Sequence, residues 1–408
     1  MAVYQLSYNH LVQRLSHQIE SKRIPVSGSL ELTHRCNLSC VHCYCNLSAA
    51  DQKALQEEMK TDEVLCILDQ IAEAGCLWLL LTGGEPLLRK DFLEVYLCAK
   101  KKGFIITLFT NGTLITPSIA NRLAEWTPHS VEITLYGATR ETYERVTGVP
   151  GSYDRCIEGI DMLLERKIPL DLKTMAMSLN QHELFEMKAF AKSRGVKFRF
   201  DPLLNCRLDG GTTPCDFRLR PEDVLKLDLE EEQRSKEWTE FCKKFIGSSS
   251  SEYLFSCGAG VSSFHVNPKA QMSVCQMAQF RTYDLRAGNF EEGWRRAIPD
   301  ILNTRTTERY LCGNCDLIAL CGQCPGWAWM EHGDPEARVG YLCRIAQLRA
   351  EAFLQPSLGV SNHGGTKKSS KTLQETGDSS RQTGSGGSGA GSVQGFLRRV
   401  RPESWPAL

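Results

Sequence analysis

Between residues 28 and 201 six short apolar runs alternate with amphipathic stretches of helical period. The apolar runs read as strands at 29–33, 76–82, 104–110, 130–136, 169–177 and 196–201. The second, CLWLLLT, is apolar throughout instead of alternating, as a parallel strand covered by helices should be. Helix punctuation lies between the strands. Thr61 is placed to cap a helix that carries Asp62 and Glu63 in its first turn, shows Val64, Leu68 and Ile71 on one face and stops at Gly75. A second helix, 91–102, ends at Gly103, and a third opens at Thr116-Pro117, with proline at its favoured first position. A fourth spans 153–167, and Asn180 with Glu183 three residues on reads as a capping box for a fifth. Right-handed crossovers wind such units into one parallel sheet, open or curved into a partial barrel. Active sites of these sheets form at the C-terminal strand ends.

Residues 1–27 form an N-terminal extension, polar and amphipathic and unlike a signal peptide. After the α/β core (28–202) comes a connector (203–256) with one charged helix at 221–246, then a second cysteine-rich stretch, 257–350. From 357 to 408 the chain is rich in Gly, Ser, Thr and Lys and reads as a disordered tail, closing on FLRRVRPESWPAL. The 48 basic and 48 acidic residues give no field of one sign, which argues against nucleic acid or a membrane surface as partner. No apolar run approaches the ~20 residues of a membrane-spanning helix. Eighteen cysteines without an export signal read as metal ligands in a reducing cytoplasm.

The loop after the first strand holds Cys36, Cys40, Cys43 and Cys45. A structural zinc site needs four protein donors, and Cys45, next but one to Cys43, is tightly placed for a fourth. A disulfide is disfavoured by compartment. Three thiolates on a 4Fe–4S cluster leave one iron without a protein ligand, a defect for electron transfer and an asset where a small molecule must be chelated.

The spacing Cys36-x3-Cys40-x2-Cys43 followed by Tyr44, together with Thr82-Gly83-Gly84-Glu85-Pro86 at the second strand end, resembles the radical S-adenosylmethionine (radical SAM) superfamily. The resemblance implies that S-adenosylmethionine chelates the open iron and that an electron from the cluster cleaves it. The resulting 5′-deoxyadenosyl radical abstracts a substrate hydrogen. It assigns Thr82, Gly83, Gly84 and Glu85 to the methionine amino group, the glycines allowing close backbone approach to the ligand. Thr110-Asn111-Gly112 and the segment 148–153 also recur in that family, and Asn111 is expected to face the cofactor. Leu135-Tyr136-Gly137 lacks the serine many relatives carry. Alternation does not say whether Lys173 and Met177 face the barrel interior, and no catalytic acid or base is assigned.

In the second region the spacing is Cys257-x17-Cys275, Cys312-x2-Cys315-x5-Cys321-x2-Cys324, then Cys343. Paired CxxC motifs also build zinc ribbons. With a hairpin turn at Asn267-Pro268-Lys269, the pattern resembles the SPASM extension of radical SAM enzymes, which binds auxiliary 4Fe–4S clusters. The resemblance places Cys312, Cys315, Cys321 and Cys343 on one cluster and Cys257, Cys275 and Cys324 on another. Two residues, Gly322 and Gln323, stand where many relatives have three, and an eighth cysteine is missing. Cys66, Cys76, Cys98, Cys156 and Cys242 read as small core residues. Cys45 reads as a bystander, and Cys206 and Cys215 as connector thiols or a missing ligand.

The implied architecture is a partial (β/α)6 TIM-like barrel followed by a small cysteine-rich iron–sulfur domain. The implied function is modification of a ribosomally made peptide or protein side chain by crosslinking or oxidation, fed by a flavodoxin- or ferredoxin-type electron donor. The alternatives are a small-molecule role in cofactor or haem-derivative biosynthesis and, from another class, a non-catalytic iron–sulfur electron carrier or zinc scaffold.

Overall fold

Six parallel strands stand side by side in chain order: β1 (Ser27–Glu31), β2 (Trp78–Thr82), β3 (Ile105–Thr110), β4 (Ser130–Thr134), β5 (Leu170–Met175) and β6 (Lys197–Asp201). The computed structural model describes residues 18–19, 21–45, 47–247 and 251–354. The tail from 357 on, its closing segment and most of the extension 1–27 lie outside the described residues. No helix among the described residues is long and apolar enough to cross a membrane.

Register sorts the two faces of the sheet. Leu30, Leu81, Leu108, Val131 and Leu170 are paired neighbours across five strands, all buried in one core with the crossover helices. The opposite face carries Glu31 beside Thr82, Phe109 beside Glu132, and Thr134 beside Lys173 and Arg199. A sheet apolar towards its helices and polar on the other face is the partial barrel expected from the repeat, with its polar face lining the lumen.

The second cysteine region joins this sheet directly. Strand β7 (Ser263–Val266) pairs in parallel with β1, Ser27 against Ser263 through Leu30 against Val266. It returns through the expected turn, where Asn267 Oδ1 accepts from Lys269 and Gln271 N–H, into β8 (Gln271–Ser273), and β9 (Tyr283–Asp284) completes a nine-stranded sheet.

Several helix ends differ from the sequence reading. Helix α1 (Thr61–Glu73) is capped at Lys60, whose N–H donates to Glu63 at 2.7 Å, while the Thr61 hydroxyl turns to Asp91 at 2.7 Å. Helix α2 (Phe92–Lys101) and α3 (Pro117–Glu125), with Thr116 as its cap, stand as expected. Helices α4 (Arg140–Thr147) and α5 (Ser152–Glu165) follow β4, and α6 (Leu184–Ser193) follows β5. Glu183 does not box with Asn180. Its carboxylate accepts from Ala138 and Thr139 N–H and from the Thr139 and Thr142 hydroxyls, so it caps α4 across space. Cys66, read as a core thiol, is exposed on α1.

The helix expected at 221–246 is two helices, α7 (Pro221–Glu230) and α8 (Glu232–Phe245), broken at Glu231 with φ −92° and ψ 111°. The break turns Arg234 back onto the fully buried Asp228 at 2.6 Å. Arg349, on α10 (Gly340–Phe353), reaches the other carboxylate oxygen at 2.8 Å and lies 3.9 Å over the Trp238 ring. One carboxylate thus locks three helices. Asp228→Ala leaves two buried guanidinium groups uncompensated and is expected to cost about 3–5 kcal/mol in denaturant unfolding. Removing Lys236 from its exposed pair with Glu232 should leave the midpoint almost unchanged.

Candidate active site at the strand ends

The chain leaving β1 is pressed against the end of β2. Gly84 N–H donates to Thr33 O at 2.6 Å, and Glu85 N–H to Arg35 O at 2.9 Å. A Cβ on Gly83 would sit 2.4 Å from Thr33 O, and one on Gly84 the same distance from Arg35 O. The glycines, expected to admit a ligand, here admit the backbone that leads into Cys36. Arg35 anchors the far side of that loop, pairing with Glu58 at 2.6 Å and donating to Ala49 O at 2.9 Å.

Glu85 then reaches across to β3. Its buried carboxylate accepts from Leu87 N–H, from the Thr110 hydroxyl at 2.8 Å and from Asn111 N–H at 2.7 Å. Burial outweighs these bonds and pushes its carboxyl up to about 7. So fixed, Asn111 points its amide at the loop, donating to Asn37 Oδ1 at 3.0 Å and to Cys36 Sγ at 3.6 Å. Thr82, Gly83, Gly84, Glu85 and Asn111 therefore form one continuous edge against the cysteine loop.

Within the loop, Cys40 is buried beside Tyr136, whose ring packs edge-on against His42 at 4.9 Å. Cys43 and Cys45 place their sulfurs 3.8 Å apart. Burial pushes the Cys36 thiol up to about 12 and Cys40 well above its ordinary value, each raised further by its neighbour thiols. Burial of its ring pushes part-buried His42 down to about 4, so it stays neutral. Bound positive charge would ionise thiols held this high. A single tetrahedral ion does not suit them, because no three of these sulfurs lie within 4.8 Å of one another. The wider spacing fits a multi-iron body.

Below the loop the lumen holds two charged groups of residues, of which the sequence singles out only Lys173, without fixing its face. Glu31 accepts from the Tyr44 hydroxyl at 2.6 Å and from Gln276 Nε2 at 2.7 Å, with His34 at 3.1 Å and His265 at 3.3 Å. Burial works to raise its carboxyl, yet the bonds to His265 and His34 prevail and hold it well below the usual range. Deeper along the sheet, Glu132 pairs with Lys173 at 3.2 Å and with Arg199. Lys173 faces the lumen over Phe109, and burial lowers its ammonium to about 7. Met177, beyond the end of β5, packs with Val146 and Leu204, and Met175 lies against the same cluster. The available signal is the three charged residues, Glu132, Asp171 and Lys173, set into the strand runs SVEIT and LDLKTM.

The C-terminal cysteines separate into two neighbourhoods. Cys312, Cys315, Cys321 and Cys343 line one cavity of about 160 Å³ with Arg338 at its rim. Cys324, which opens helix α9 (Pro325–His332), instead lies within electrostatic reach of Cys275 and Cys257. Cys206 and Cys215 meet elsewhere, with sulfurs 2.9 Å apart.

Comparison with known proteins gives this geometry a context. Residues 30–191 match the Radical SAM superfamily model. The AdoMet-dependent heme synthase of Methanosarcina barkeri is 27% identical over 326 residues, 74% of this chain and 92% of its own length. The PqqA peptide cyclase of Rhizobium meliloti is 32% identical over 163 residues, 40% of this chain and 43% of its own. Streptococcus suis SuiB bound to S-adenosylmethionine shares the fold with a TM-score of 0.61 at 16% identity, over 84% of this chain and 82% of that one.

The lumen charges carry a testable cost. The unfolded chain keeps the Lys173 proton up to about 10.5 and the folded chain loses it near 7, so this residue makes stability rise with pH across that window. Lys173→Met, which leaves Arg199 to neutralise Glu132, is expected to raise the melting temperature at pH 7 and to lower turnover. The stability gain over wild type should shrink as pH approaches 10.

Proposed function

Because the chain carries a radical SAM domain at residues 30–191, we propose that it is an enzyme that removes a hydrogen atom from a peptide or protein side chain. A 4Fe–4S cluster and S-adenosylmethionine, the cofactors of this domain, supply when bound the radical chemistry that such a step needs. The observation that carries the reading is the triad Cys36, Cys40 and Cys43 seated against the Thr82–Glu85 edge, with Asn111 aimed at the Cys36 sulfur.

In this reading Cys36, Cys40 and Cys43 hold the cluster and Cys45 is a neighbour. Glu85 positions Asn111 and the end of β3, and Asn111 orients the Cys36 side of the cluster. Tyr44, tied to Glu31, keeps the loop from lifting into the lumen. Cys312, Cys315, Cys321 and Cys343 would hold one auxiliary cluster, and Cys257, Cys275 and Cys324 another with one iron open. Arg199, with Lys173 in its protonated form, favours a substrate group that bears a carboxylate. Reducing equivalents would come from a flavodoxin- or ferredoxin-type donor. A peptide substrate is supported by the likeness to the PqqA peptide cyclase and by the fold shared with SuiB, solved bound to precursor peptide SuiA. A haem-type precursor is the second reading. It is favoured by the likeness to the heme synthase, which runs along 92% of that protein's length.

Anaerobic reconstitution followed by detection of 5′-deoxyadenosine from S-adenosylmethionine and a reductant tests the class. Cys36→Ala, Cys40→Ala and Cys43→Ala should each abolish it, whereas Cys45→Ala retains it. Zinc in place of iron, or a wild type no better than Cys40→Ala, would contradict the proposal. A mass change in a short precursor peptide encoded beside this gene supports the first substrate reading. Turnover of an iron tetrapyrrole without one supports the second.

A further inference from the structure

Away from both cysteine regions, three donor atoms converge where the connector meets α9. The Cys206 and Cys215 sulfurs lie 2.9 Å apart, and Glu331 Oε2 is 3.9 Å from Cys206. Among the described residues this is the one set of three His, Cys, Asp or Glu donors whose ligand atoms all fall within 4.8 Å. Cys206 is fully buried, and Cys215 and Glu331 are half-buried.

The carboxylate is held in place. Glu331 accepts from Arg218 Nη2 at 2.6 Å and from Trp327 Nε1 at 3.2 Å. Arg218 is itself fixed, donating to Leu204 O at 2.7 Å and facing the Tyr341 ring at 4.7 Å. The thiols are equally placed by their loop, which closes on itself through Arg207 N–H to Gly211 O and Cys215 N–H to Thr212 O. Two partners that orient a carboxylate towards a thiol pair are what an outer shell does for a metal ligand.

We propose that Cys206, Cys215 and Glu331 bind one zinc ion. Thiolates select zinc over hard cations, and three protein donors leave the fourth tetrahedral position to water. Two thiolates and a carboxylate carry three negative charges, which a divalent ion and the Arg218 guanidinium together balance. Zinc–sulfur bonds of about 2.3 Å require the sulfurs to part to about 3.7 Å, a shift within rotamer reach. A disulfide would satisfy the thiols alone and give the nearby Glu331 carboxylate no part.

The site has a place in the architecture. The same loop donates from Leu208 N–H to Tyr44 O and from Arg207 to Cys45 O, both at 3.0 Å, and Glu331 lies on the helix that Cys324 opens. Zinc therefore staples the connector between the first cysteine loop and the second cysteine region.

The test uses the full chain, expressed with zinc and purified anaerobically. Elemental analysis should give about one zinc per chain in addition to iron, and zinc-edge X-ray absorption should show two sulfur neighbours near 2.3 Å plus oxygen. Cys206→Ser and Cys215→Ser should lose the zinc and keep the iron, and Glu331→Gln should weaken zinc retention against a chelator by about tenfold or more. Wild-type chain without zinc, an all-sulfur zinc shell, a Cys206–Cys215 disulfide in anaerobic peptide mapping, or iron lost from Cys206→Ser would each overturn the proposal. The wild-type measurements decide even if a variant fails to fold.

Discussion

Everything at the strand ends hangs on one close backbone contact. Gly84 donates to Thr33 O at 2.6 Å in a space where a Cβ would collide with Arg35 O. That contact seats the loop of Cys36, Cys40 and Cys43 over the barrel mouth. It also delivers Glu85 into the gap between β2 and β3, where its carboxylate fixes Asn111 beside Cys36. Loop, glycine pair, carboxylate and amide form a single mechanical unit, each member positioned by the previous one. A side chain at either glycine would displace all of them together.

The lumen beneath that unit is built of charges that the fold tolerates at a cost. Glu31 joins the cysteine loop, through Tyr44, to the segment after Cys275, through Gln276, so one carboxylate spans the two iron–sulfur regions proposed above. Half-buried Lys173 is poorly solvated and only partly compensated by Glu132. Stability is recovered at a distance, in the apolar layer between sheet and helices and in the Asp228 lock on α7, α8 and α10. Buried charge kept in a cavity rather than replaced by hydrocarbon points to chemistry performed there.

Local periodicity made the barrel legible, since six strand–helix units leave few ways to wind a sheet. The Cys36–Cys43 loop is legible for the same reason: its spacing lies within eight residues. What escaped the sequence was mostly non-local. Nothing in SFHV says that it will lie beside β1, and nothing links Glu183 to the start of α4. Glu331 stands 125 residues from Cys206, and no spacing rule connects them. Strand alternation does not reach Met177, because β5 ends at Met175. The glycine pair is legible as a site of close approach, but nothing local in the sequence names Thr33 and Arg35 as the backbone that approaches it.

The central claim is that three thiols, not four, hold the first cluster, so that one iron accepts an outside ligand. Hyperfine spectroscopy of the reduced chain with S-adenosylmethionine labelled at its amino nitrogen tests this most directly. The account expects coupling between that nitrogen and the cluster in wild type, unchanged in Cys45→Ala. A reduced cluster without such coupling, its fourth position filled by Cys45 or another side chain, would contradict it.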